Sequence, residues 1–428
     1  MTRCRVAIVA DDLTGALDAA APFAGRGAGT RVVVALEHLE ALLDAWRGSL
    51  PEVIAVNTES RHLDASVAAE RVTLATALLS RISPEVWFKK IDSTLRGQVV
   101  AECLAMREAC ERRLLLAPAV PAQGRILCDA EVRVEGVPLA STAYGGDARS
   151  APPLGPLDEV FARHGLPLSR YPARSDDGLP GTDCVADAES DHDLDRLQEA
   201  SRSDAADWLM VGAAGLAAAI ARHLFGQPRP SLRIPLETRS RVYAVGSRSP
   251  LAVAQVNRLS HAEPTLTIVE ALETSLSAPT VRPDLVIPGG PPHQAHDAEE
   301  VAKAMAMRVE AAVGQWPPGP GLLFLTGGDI AMAVLSRLGV TFIQVDAEWS
   351  PGVATGFLEG DRQRWVMTKA GGFGHPNLLV ELEACLGSPD TGPTESRQNG
   401  NGYGAKERAR DSIGGLSPRM VALSGTKR

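Results

Sequence analysis

The sequence predicts an α/β protein built from two domains, and two features of the chain support that prediction. Short β-branched runs alternate with Ala- and Leu-rich helical stretches in the first half, and the alternation resumes after residue 240. The runs are apolar throughout, which is typical of parallel strands that are buried on both faces. We therefore expect two α/β domains whose largely parallel sheets face a cleft between the domains.

These runs predict the individual strands and helices in chain order. Strands of the first block are predicted at 6–10, 31–36, 53–56, 86–88 and 114–117, with helices at 65–79 and 99–112. The segment 126–172 is rich in Gly and Pro and contains the hairpin-like sequence EVRVEGVPL. Strands of the second block are predicted at 242–245, 267–269, 285–287, 322–325 and 342–345.

Two stretches without periodicity set the domain boundaries. The segment 226–240 carries three prolines and is the best candidate for a linker. We assign residues 1–230 to an N-terminal domain and residues 231–387 to a C-terminal domain. Residues 388–428 are rich in Gly, Ser, Asn and charge and have no apolar period, so we predict a disordered tail there.

Composition excludes several classes of function. The chain has 428 residues, with 43 Lys and Arg against 52 Asp and Glu, for a formal charge of -9. This acidic balance argues against nucleic acid as the main partner. The longest strongly apolar stretch, 212–221, is about half as long as a membrane span requires. Because the cysteines are scattered and acidic residues interrupt the apolar N-terminus too early for a signal peptide, we expect a cytoplasmic protein.

Polar residues cluster where the predicted strands of the first block end. Asp11 and Asp12 follow the first strand, and Arg61 follows the third. In a parallel sheet these ends share the edge at which open α/β folds bind ligands. A guanidinium at this edge is suited to gripping a carboxylate through two parallel hydrogen bonds. Taken alone, the aspartates could instead cap the following helix, and the Arg61 segment could be a surface loop.

The densest cluster is the segment KKIDSTLRG, 89–97. It places two ammonium groups, a carboxylate, two hydroxyls and a guanidinium directly after a strand, including Lys90, Asp92, Ser93 and Thr94. An isolated Lys–Asp pair would be a surface ion pair of little energetic value, but a run of this density favours a site. Arg125 adds a further cation on a Pro- and Gly-shaped loop after another strand.

Glycine-rich turns dominate the second block. They lie between strand and helix, or beside a lysine, and their candidate anion-binding residues are Gly246, Ser247, Ser249, Gly327, Gly328, Asp329, Ile330, Gly371 and Gly372. A Gly pair at such a turn lets the backbone approach an anion, while the N-terminal N–H groups of the next helix donate to it. None of the turns has the Walker A pattern. Each is weak evidence alone, but together they favour a phosphate-binding domain.

The histidines show no pattern of a metal site, so we predict no protein-bound metal.

These motifs together resemble the four-carbon acid sugar kinase family. The resemblance runs from about residue 6 to residue 382 and rests on ADDLTGALD (10–18), TESR (58–61), KKIDSTLRG (89–97), the loop ending at Arg125, GSxSP (246–250), TGGD (326–329) and KxGxFG (369–374). Members of that family phosphorylate the terminal hydroxyl of threonate, erythronate or 3-oxo-tetronate with ATP. The chain departs from the family pattern at Ile330 and Gly372, where Thr and Asn are usual, and at Ala252, where Thr is usual.

The resemblance implies that the N-terminal domain holds the sugar acid and the C-terminal domain holds ATP. On this basis Arg61, Arg125 and Asp11 bind the acid, with Ser93 and Thr94 as hydrogen-bond partners. Asp12 and Asp92 are the candidates to orient and deprotonate the attacking hydroxyl, and Lys90 would neutralise developing charge. The glycine-turn residues given above would cradle ATP, with Mg²⁺ bridging its phosphates.

Two alternatives stay open at the level of sequence. The chain could be a kinase of a different small sugar acid, because the altered glycine turns permit it. It could also be a non-catalytic regulator that binds the acid without efficient use of ATP. The sequence leaves the epimer of the acid, the identity of the base and the oligomeric state open, with a homodimer among the options.

Overall fold

The computed structural model describes residues 3–146, 150–175, 177–230, 232, 234, 240–273, 282–290 and 297–387. The tail predicted at 388–428 and part of the linker predicted at 226–240 lie outside these described residues. None of the described helices is both long and apolar enough to cross a lipid bilayer.

The strands lie close to the positions that the apolar runs predict. Those before residue 220 are β1 (Val6–Ala10), β2 (Thr30–Val33), β3 (Val53–Asn57), β4 (Val86–Lys90), β5 (Arg113–Ala117), β6 (Arg125–Cys128), β7 (Glu131–Val134), β8 (Val137–Pro138), β9 (Ser169–Tyr171), β10 (Cys184–Ala186) and β11 (Trp208–Gly212). Those after it are β12 (Ser240–Val245), β13 (Ile268–Glu270), β14 (Leu285–Ile287), β15 (Gly321–Thr326), β16 (Phe342–Ser350), β17 (Val353–Leu358) and β18 (Arg364–Lys369).

Eleven α-helices accompany the strands in the described residues. They are α1 (Leu13–Ala24), α2 (Leu39–Ala45), α3 (Ala65–Ser80), α4 (Val99–Cys110), α5 (Leu157–Ala162), α6 (Asp191–Ala200), α7 (Ala214–Phe225), α8 (Pro250–Ala262), α9 (Ala298–Val313), α10 (Gly328–Arg337) and α11 (Leu378–Gly387). Most follow a strand directly, as the βα alternation of the sequence predicts.

A single sheet of fifteen strands runs through both blocks, in the order β13-β14-β12-β15-β18-β17-β16-β2-β3-β1-β4-β11-β5-β10-β9. The pairs are parallel except around β16 and β17, where β2, β16, β17 and β18 pair antiparallel. The α/β class with largely parallel strands is therefore confirmed. The second block joins the first because β16 pairs with β2, so the strands of both blocks belong to one continuous sheet. The division into two domains at residue 230 stays a prediction.

The core consists of the apolar strand residues and the helix faces packed on them. β1 and β3 are buried at every position, which explains why their sequences do not alternate with polar residues. The predicted hairpin EVRVEGVPL forms β7 and β8, which with β6 make a separate three-stranded antiparallel sheet. Cys4, Cys103, Cys110, Cys128 and Cys184 form no disulfide bond within the described residues.

Candidate functional site

The carboxyl ends of four strands of the first block carry the polar residues predicted for the site. β3, β1, β4, β11 and β5 are neighbours in the sheet, so the residues that follow β1, β3, β4 and β5 meet at one edge. In sequence these are the segments that begin at Asp11, Thr58, Ile91 and Pro118. The convergence expected from the parallel arrangement is present.

Asp11 and Asp12 are joined by the guanidinium of Arg61. Arg61 Nε donates to Asp11 Oδ2 at 2.7 Å, and Arg61 Nη2 donates to Asp11 Oδ1 at 3.0 Å. On its other side Arg61 donates to Asp12 Oδ2 at 2.6 Å and to Asp12 Oδ1 at 2.8 Å. The side chain of Arg61 is only 11% exposed. Arg61 thus fixes the two carboxylates, and most of its hydrogen-bonding capacity is used inside the protein.

Asp12 also forms the N-cap of α1. Its Oδ1 accepts from the backbone N–H of Gly15 at 2.8 Å, and its Oδ2 accepts from the Thr14 hydroxyl at 2.7 Å. The capping interpretation of the sequence and the site interpretation therefore both apply to this residue. Burial alone would raise the pKa of Asp12, but the charges of Arg61 and Lys90 hold it below its usual value.

Asp92 is held by its own loop. The backbone N–H of Thr94 donates to Asp92 Oδ2 at 3.0 Å, and the Thr94 hydroxyl donates to the same oxygen. Arg96 donates through Nε at 3.1 Å and through Nη2 at 2.8 Å. Burial opposes ionisation of Asp92, yet the charges of Arg96 and Arg61 keep its pKa well below the usual range. Thr94 therefore fixes the position of the Asp92 carboxylate, whereas Ser93 lines a small cavity that Asp92 also lines.

The two lysines at the end of β4 point to opposite faces of the sheet, because successive strand residues alternate. Lys89 is fully buried and pairs with Glu102 of α4, with Nζ and Oε2 2.7 Å apart. Lys90 faces the site, and its Nζ lies 3.2 Å from where a Cβ would stand at Gly15. Its ammonium donates to the Ile91 carbonyl at 3.1 Å. Among the described residues, no carboxylate lies within ion-pair distance of Lys90.

Arg125 is a buried cation without a carboxylate partner among the described residues. It is 9% exposed, donates to Gln123 Oε1 at 2.5 Å, and its Nε has no hydrogen-bond partner there. The guanidinium lies 5.1 Å from the ring centroid of Phe373 and 5.8 Å from that of Tyr144. An aromatic setting of this kind holds a guanidinium while leaving its donors available to an anion.

The glycine turns of the second block reach the same place. A cavity of about 680 Å³ is lined by Asp11, Asp12, Arg61 and Arg125 from the first block and by Ser247, Ser249, Gly327, Gly328, Asp329, Gly371 and Gly372 from the second. A Cβ built at Gly328 would lie 3.2 Å from Asp12 Oδ2, so the two blocks are in contact at this point. The structure thus brings the two predicted groups of residues together in one cavity.

Two helix N-termini open onto this cavity. α8 starts behind Ser249, whose hydroxyl accepts from the Ala252 N–H at 3.2 Å and donates to the Gly371 carbonyl at 2.9 Å. α10 starts behind Gly327, which has a φ of 98° that favours glycine. A Cβ at Gly371 would overlap the Ser247 hydroxyl, so this turn also requires glycine. Such N-termini supply N–H donors and a favourable dipole to an anion.

Two of the predicted anion-binding residues lie behind the cavity surface. Ile330 is 5% exposed, and a Cβ built at Gly246 would overlap its side chain. Gly246 thus makes room for Ile330 in the core of the second block. Ile330 therefore packs beneath the turn and does not line the cavity.

Asp18, Gln123 and Phe373 also line the site but were not among the predicted residues. They surround a small cavity that adjoins the large one and shares Asp12 and Arg61 with it. Asp18 could have been found from helical spacing, since it lies three residues after Gly15 on α1. For Phe373, the sequence gives no indication of a role in the site beyond its position in a glycine-rich turn. Within the described ranges, no three His, Cys, Asp or Glu side chains are grouped as a protein-bound metal ion would require.

Comparisons with known proteins identify the family to which the chain belongs. A family model described as a sugar-binding N-terminal domain matches residues 6–220, and one described as a nucleotide-binding C-terminal domain matches residues 288–379. The chain is 28% identical over 427 residues to D-threonate kinase of Salmonella typhimurium, covering 88% of this chain and 97% of that protein. It is 31% identical over 420 residues to D-threonate kinase of Cupriavidus necator, covering 87% of this chain and 95% of that protein.

A solved structure of a Haemophilus influenzae protein has the same fold. It superposes with a TM-score of 0.64 at 17% identity, covering 88% of this chain and 99% of that one. The family model for the sugar-binding domain spans half of the chain, and the curated kinases match nearly their whole length. The chain therefore belongs to the four-carbon acid sugar kinase family.

Proposed function

We propose that this protein transfers the γ-phosphoryl group of ATP to the terminal hydroxyl of a four-carbon sugar acid. D-threonate is the first candidate acid, because the relatives compared above carry that name. We further propose that residues 1–230 bind the acid and residues 231–387 bind the nucleotide. D-erythronate and 3-oxo-tetronate are the other acids that the family resemblance suggests.

The observation that carries this proposal is the shared cavity. It joins a rim of cations and carboxylates to glycine turns and helix N-termini. A kinase needs both surfaces within one enclosure, because phosphoryl transfer depends on alignment of the hydroxyl with the γ-phosphate. The contact between Asp12 and Gly328 puts the two surfaces next to each other.

On the acid side, Arg125 and Lys90 are the cations with donors to spare. Arg61 is occupied by Asp11 and Asp12, and Arg96 is occupied by Asp92. A sugar-acid carboxylate bound by Arg125 would gain a charge-assisted hydrogen bond from a guanidinium that has no carboxylate partner among the described residues. Lys90 lies nearer to Asp12 and would neutralise charge at the reacting oxygen.

On the nucleotide side, backbone N–H groups are the main donors. The starts of α8 and α10 and the turn at Gly371 and Gly372 line the cavity. Mg²⁺ would enter with ATP as part of the substrate, bridging its phosphate oxygens. The Ser247 hydroxyl lines the cavity as well, whereas the Ser249 hydroxyl already donates its proton to the Gly371 carbonyl. Although Ile330 and Ala252 carry no hydroxyl, the backbone N–H groups at the starts of α8 and α10 remain in place.

A substrate panel tests the proposal. The full-length protein is mixed with MgATP and each of D-threonate, L-threonate, D-erythronate, 3-oxo-tetronate and five- and six-carbon sugar acids, and ADP release is followed with a coupled assay. We expect turnover with a four-carbon acid and a thermal shift with ATP alone. A thermal shift with an acid but no response to ATP and no turnover would instead support the regulator alternative. Turnover confined to longer acids would reject the four-carbon assignment.

A further inference from the structure

Asp18 lines the site, but the function proposed above gives its carboxylate no role. It lies on α1, four residues after Thr14 and three after Gly15, so helical geometry places it on the face that borders the site. It lines the small cavity together with Asp12, Lys90 and Asp92. Within the part of the chain that the structure describes, its side chain makes no hydrogen bond or ion pair.

The other two aspartates beside Lys90 already have their oxygens occupied. Asp12 accepts four hydrogen bonds, from Arg61, Gly15 and Thr14. Asp92 accepts through both oxygens from Arg96 and Thr94. A carboxylate that is saturated by donors and adjacent to a guanidinium is a poor acceptor for a further proton. Both are better suited to orienting groups than to removing a proton.

The small cavity is large enough for the reacting end of a sugar acid. Its volume is about 30 Å³. A cavity needs roughly 10–15 Å³ to hold one water molecule, so a terminal hydroxymethyl group fits. Lys90 and Asp18 both line this space, and the Lys90 ammonium lies beside Gly15, one helical turn from Asp18. A hydroxyl placed here would therefore have a cation and an unoccupied carboxylate as neighbours.

We propose that Asp18 is the general base that accepts the proton of the attacking hydroxyl. In this step the hydroxyl oxygen forms a bond to the γ-phosphorus of ATP, and the bond between that phosphorus and the β,γ-bridging oxygen breaks. The bridging oxygen leaves with its electron pair as part of ADP, and the hydroxyl proton passes to an Oδ atom of Asp18. This assignment rests on the kinase function proposed above.

The electrostatic surroundings of Asp18 agree with that role. Burial raises the pKa of Asp18, while the charge of Lys90 lowers it. Asp12 and Asp92 raise the pKa further, and Arg125 lowers it. The other charged groups that line a cavity together with Asp18 are Arg61 and Arg96 in the small cavity and Arg26, Asp191, Arg222, Arg229 and Glu348 in a second one. A general base works best when its pKa is close to the working pH, and Asp12 and Asp92 are shifted in the opposite direction.

Asp18 also has a route for returning the proton to solvent. It lines a second cavity, of about 380 Å³, together with Arg26, Asp191 and Arg222. Because Asp18 lines this second cavity as well as the small one, the second cavity offers a path by which the base can return its proton to solvent.

The test compares Asp18→Asn with Asp204→Asn, a control at an exposed aspartate that lines neither cavity. kcat and KM are measured across pH with an acid that the wild-type protein phosphorylates. We expect Asp18→Asn to lower kcat by about 10²- to 10⁴-fold with little change in KM, and to abolish the fall of kcat at acid pH. The control should keep both kcat and the acid limb.

Further variants and binding measurements separate the possible failures. Calorimetric binding of ADP and of the acid to Asp18→Asn should match the wild type, which shows that the fold is intact. Asp18→Glu keeps the carboxyl group and should restore part of kcat together with the acid limb, whether or not Asp18→Asn folds. An active wild type with unchanged kcat and pH profile in Asp18→Asn would overturn the role of Asp18 alone. A wild type that phosphorylates no acid would overturn the kinase function and this role together.

Discussion

Arg61 donates hydrogen bonds of 2.6 Å and 2.8 Å to the two carboxylate oxygens of Asp12. The same guanidinium binds both oxygens of Asp11, so one side chain holds two consecutive carboxylates at the end of β1. Burial would lower the pKa of Arg61, but these two aspartates raise it well above its usual value. The contacts support a positioning role for Arg61, in addition to the substrate-binding role expected from the sequence.

The first prediction follows from this bridge. In Arg61→Lys an ammonium cannot reproduce the planar fork that binds both carboxylates, so one of them loses its partner. Removing one partner of a buried ion pair costs about 3–5 kcal/mol, and the conservative change should cost a substantial part of that. Urea unfolding measures the loss of stability. We also expect kcat to fall in this variant, because the Asp12 carboxylate is displaced.

The matched control for this change is Arg81→Lys. Arg81 pairs with Glu40 and Asp44 on the surface, where exposed ion pairs contribute about 0–1 kcal/mol. If Arg61→Lys raised only the KM for the acid and left unfolding unchanged, Arg61 would be a substrate ligand with no positioning role.

A second prediction concerns Arg125, which we propose as the ligand of the sugar-acid carboxylate. Arg125→Gln removes a charged donor that the protein itself does not use for an ion pair among the described residues. Hydrogen bonds to charged groups contribute about 1.5–3 kcal/mol, so the KM for the acid should rise by about 10- to 150-fold. The KM for ATP should stay unchanged. Steady-state kinetics with each substrate varied in turn would reveal the opposite pattern if Arg125 served the nucleotide.

The strand ends could be predicted from the sequence because the apolar runs stop where polar residues begin. β1 was predicted at both ends, since Ala10 is followed directly by Asp11. β16 was predicted only as far as residue 345, but it continues to Ser350. Residues 342–347 of β16 alternate between half-buried and buried positions, and the strand pairs antiparallel with β17. Asp346 and Glu348 therefore interrupt the apolar run although the strand continues through them. β17 and β18 were not predicted.

The partners of the site residues could not be predicted in the same way. The clustering after four strands indicated a site, and the structure brings these residues together. However, Lys89 faces α4 and Lys90 faces the cavity. Which lysine faces which side depends on the pleat of β4, because successive side chains of a strand point to opposite faces. Likewise, the pairing of Arg61 with the two aspartates depends on side-chain geometry. The order of charged residues along the sequence does not specify that geometry.

A third prediction tests the buried pair beneath the site. Lys89 and Glu102 are almost fully buried, and Glu102 also accepts from the Ser60 hydroxyl at 2.6 Å. Lys89→Met leaves a carboxylate without its cation, so the free energy of unfolding should fall by about 3–5 kcal/mol. The double variant Lys89→Met/Glu102→Leu removes both charges and should recover much of the loss. A double variant as unstable as the single one would mean that packing, and not the unpaired charge, limits stability.

A fourth prediction concerns the pH dependence of stability. Burial lowers the pKa of Lys369 from 10.5 to about 8, and its ammonium donates to the carbonyls of Ala370 and Gly371 at 3.2 Å and 3.3 Å. Between these two pKa values the unfolded chain keeps a proton that the folded chain has released. The contribution of Lys369 to the free energy of unfolding therefore rises with pH in that window and is constant below it.

Urea unfolding of the wild type and of Lys369→Met at several pH values between about 7 and about 10 checks this sign. The free energy of unfolding of the wild type relative to the variant should increase with pH. A difference that stays flat across the window would mean that the Lys369 ammonium has an ordinary pKa in the folded protein.

The last prediction uses the contact between the two blocks of the chain. A Cβ at Gly328 would lie 3.2 Å from Asp12 Oδ2 and 3.6 Å from Thr14 Oγ1. Asp12 cannot yield easily, because Arg61 and the start of α1 hold it. Gly328→Ala should therefore shift the carboxylate relative to the start of α10 and lower kcat by about tenfold or more, since small misplacements at a reacting centre are costly. Alanine in the first turn of α10 otherwise favours folding, so the free energy of unfolding should not fall by a comparable amount.

Gly48→Ala is the matched control, because nothing lies within 4 Å of the added methyl group there. Unchanged kinetics in Gly328→Ala would show that phosphoryl transfer does not depend on the distance between Asp12 and α10.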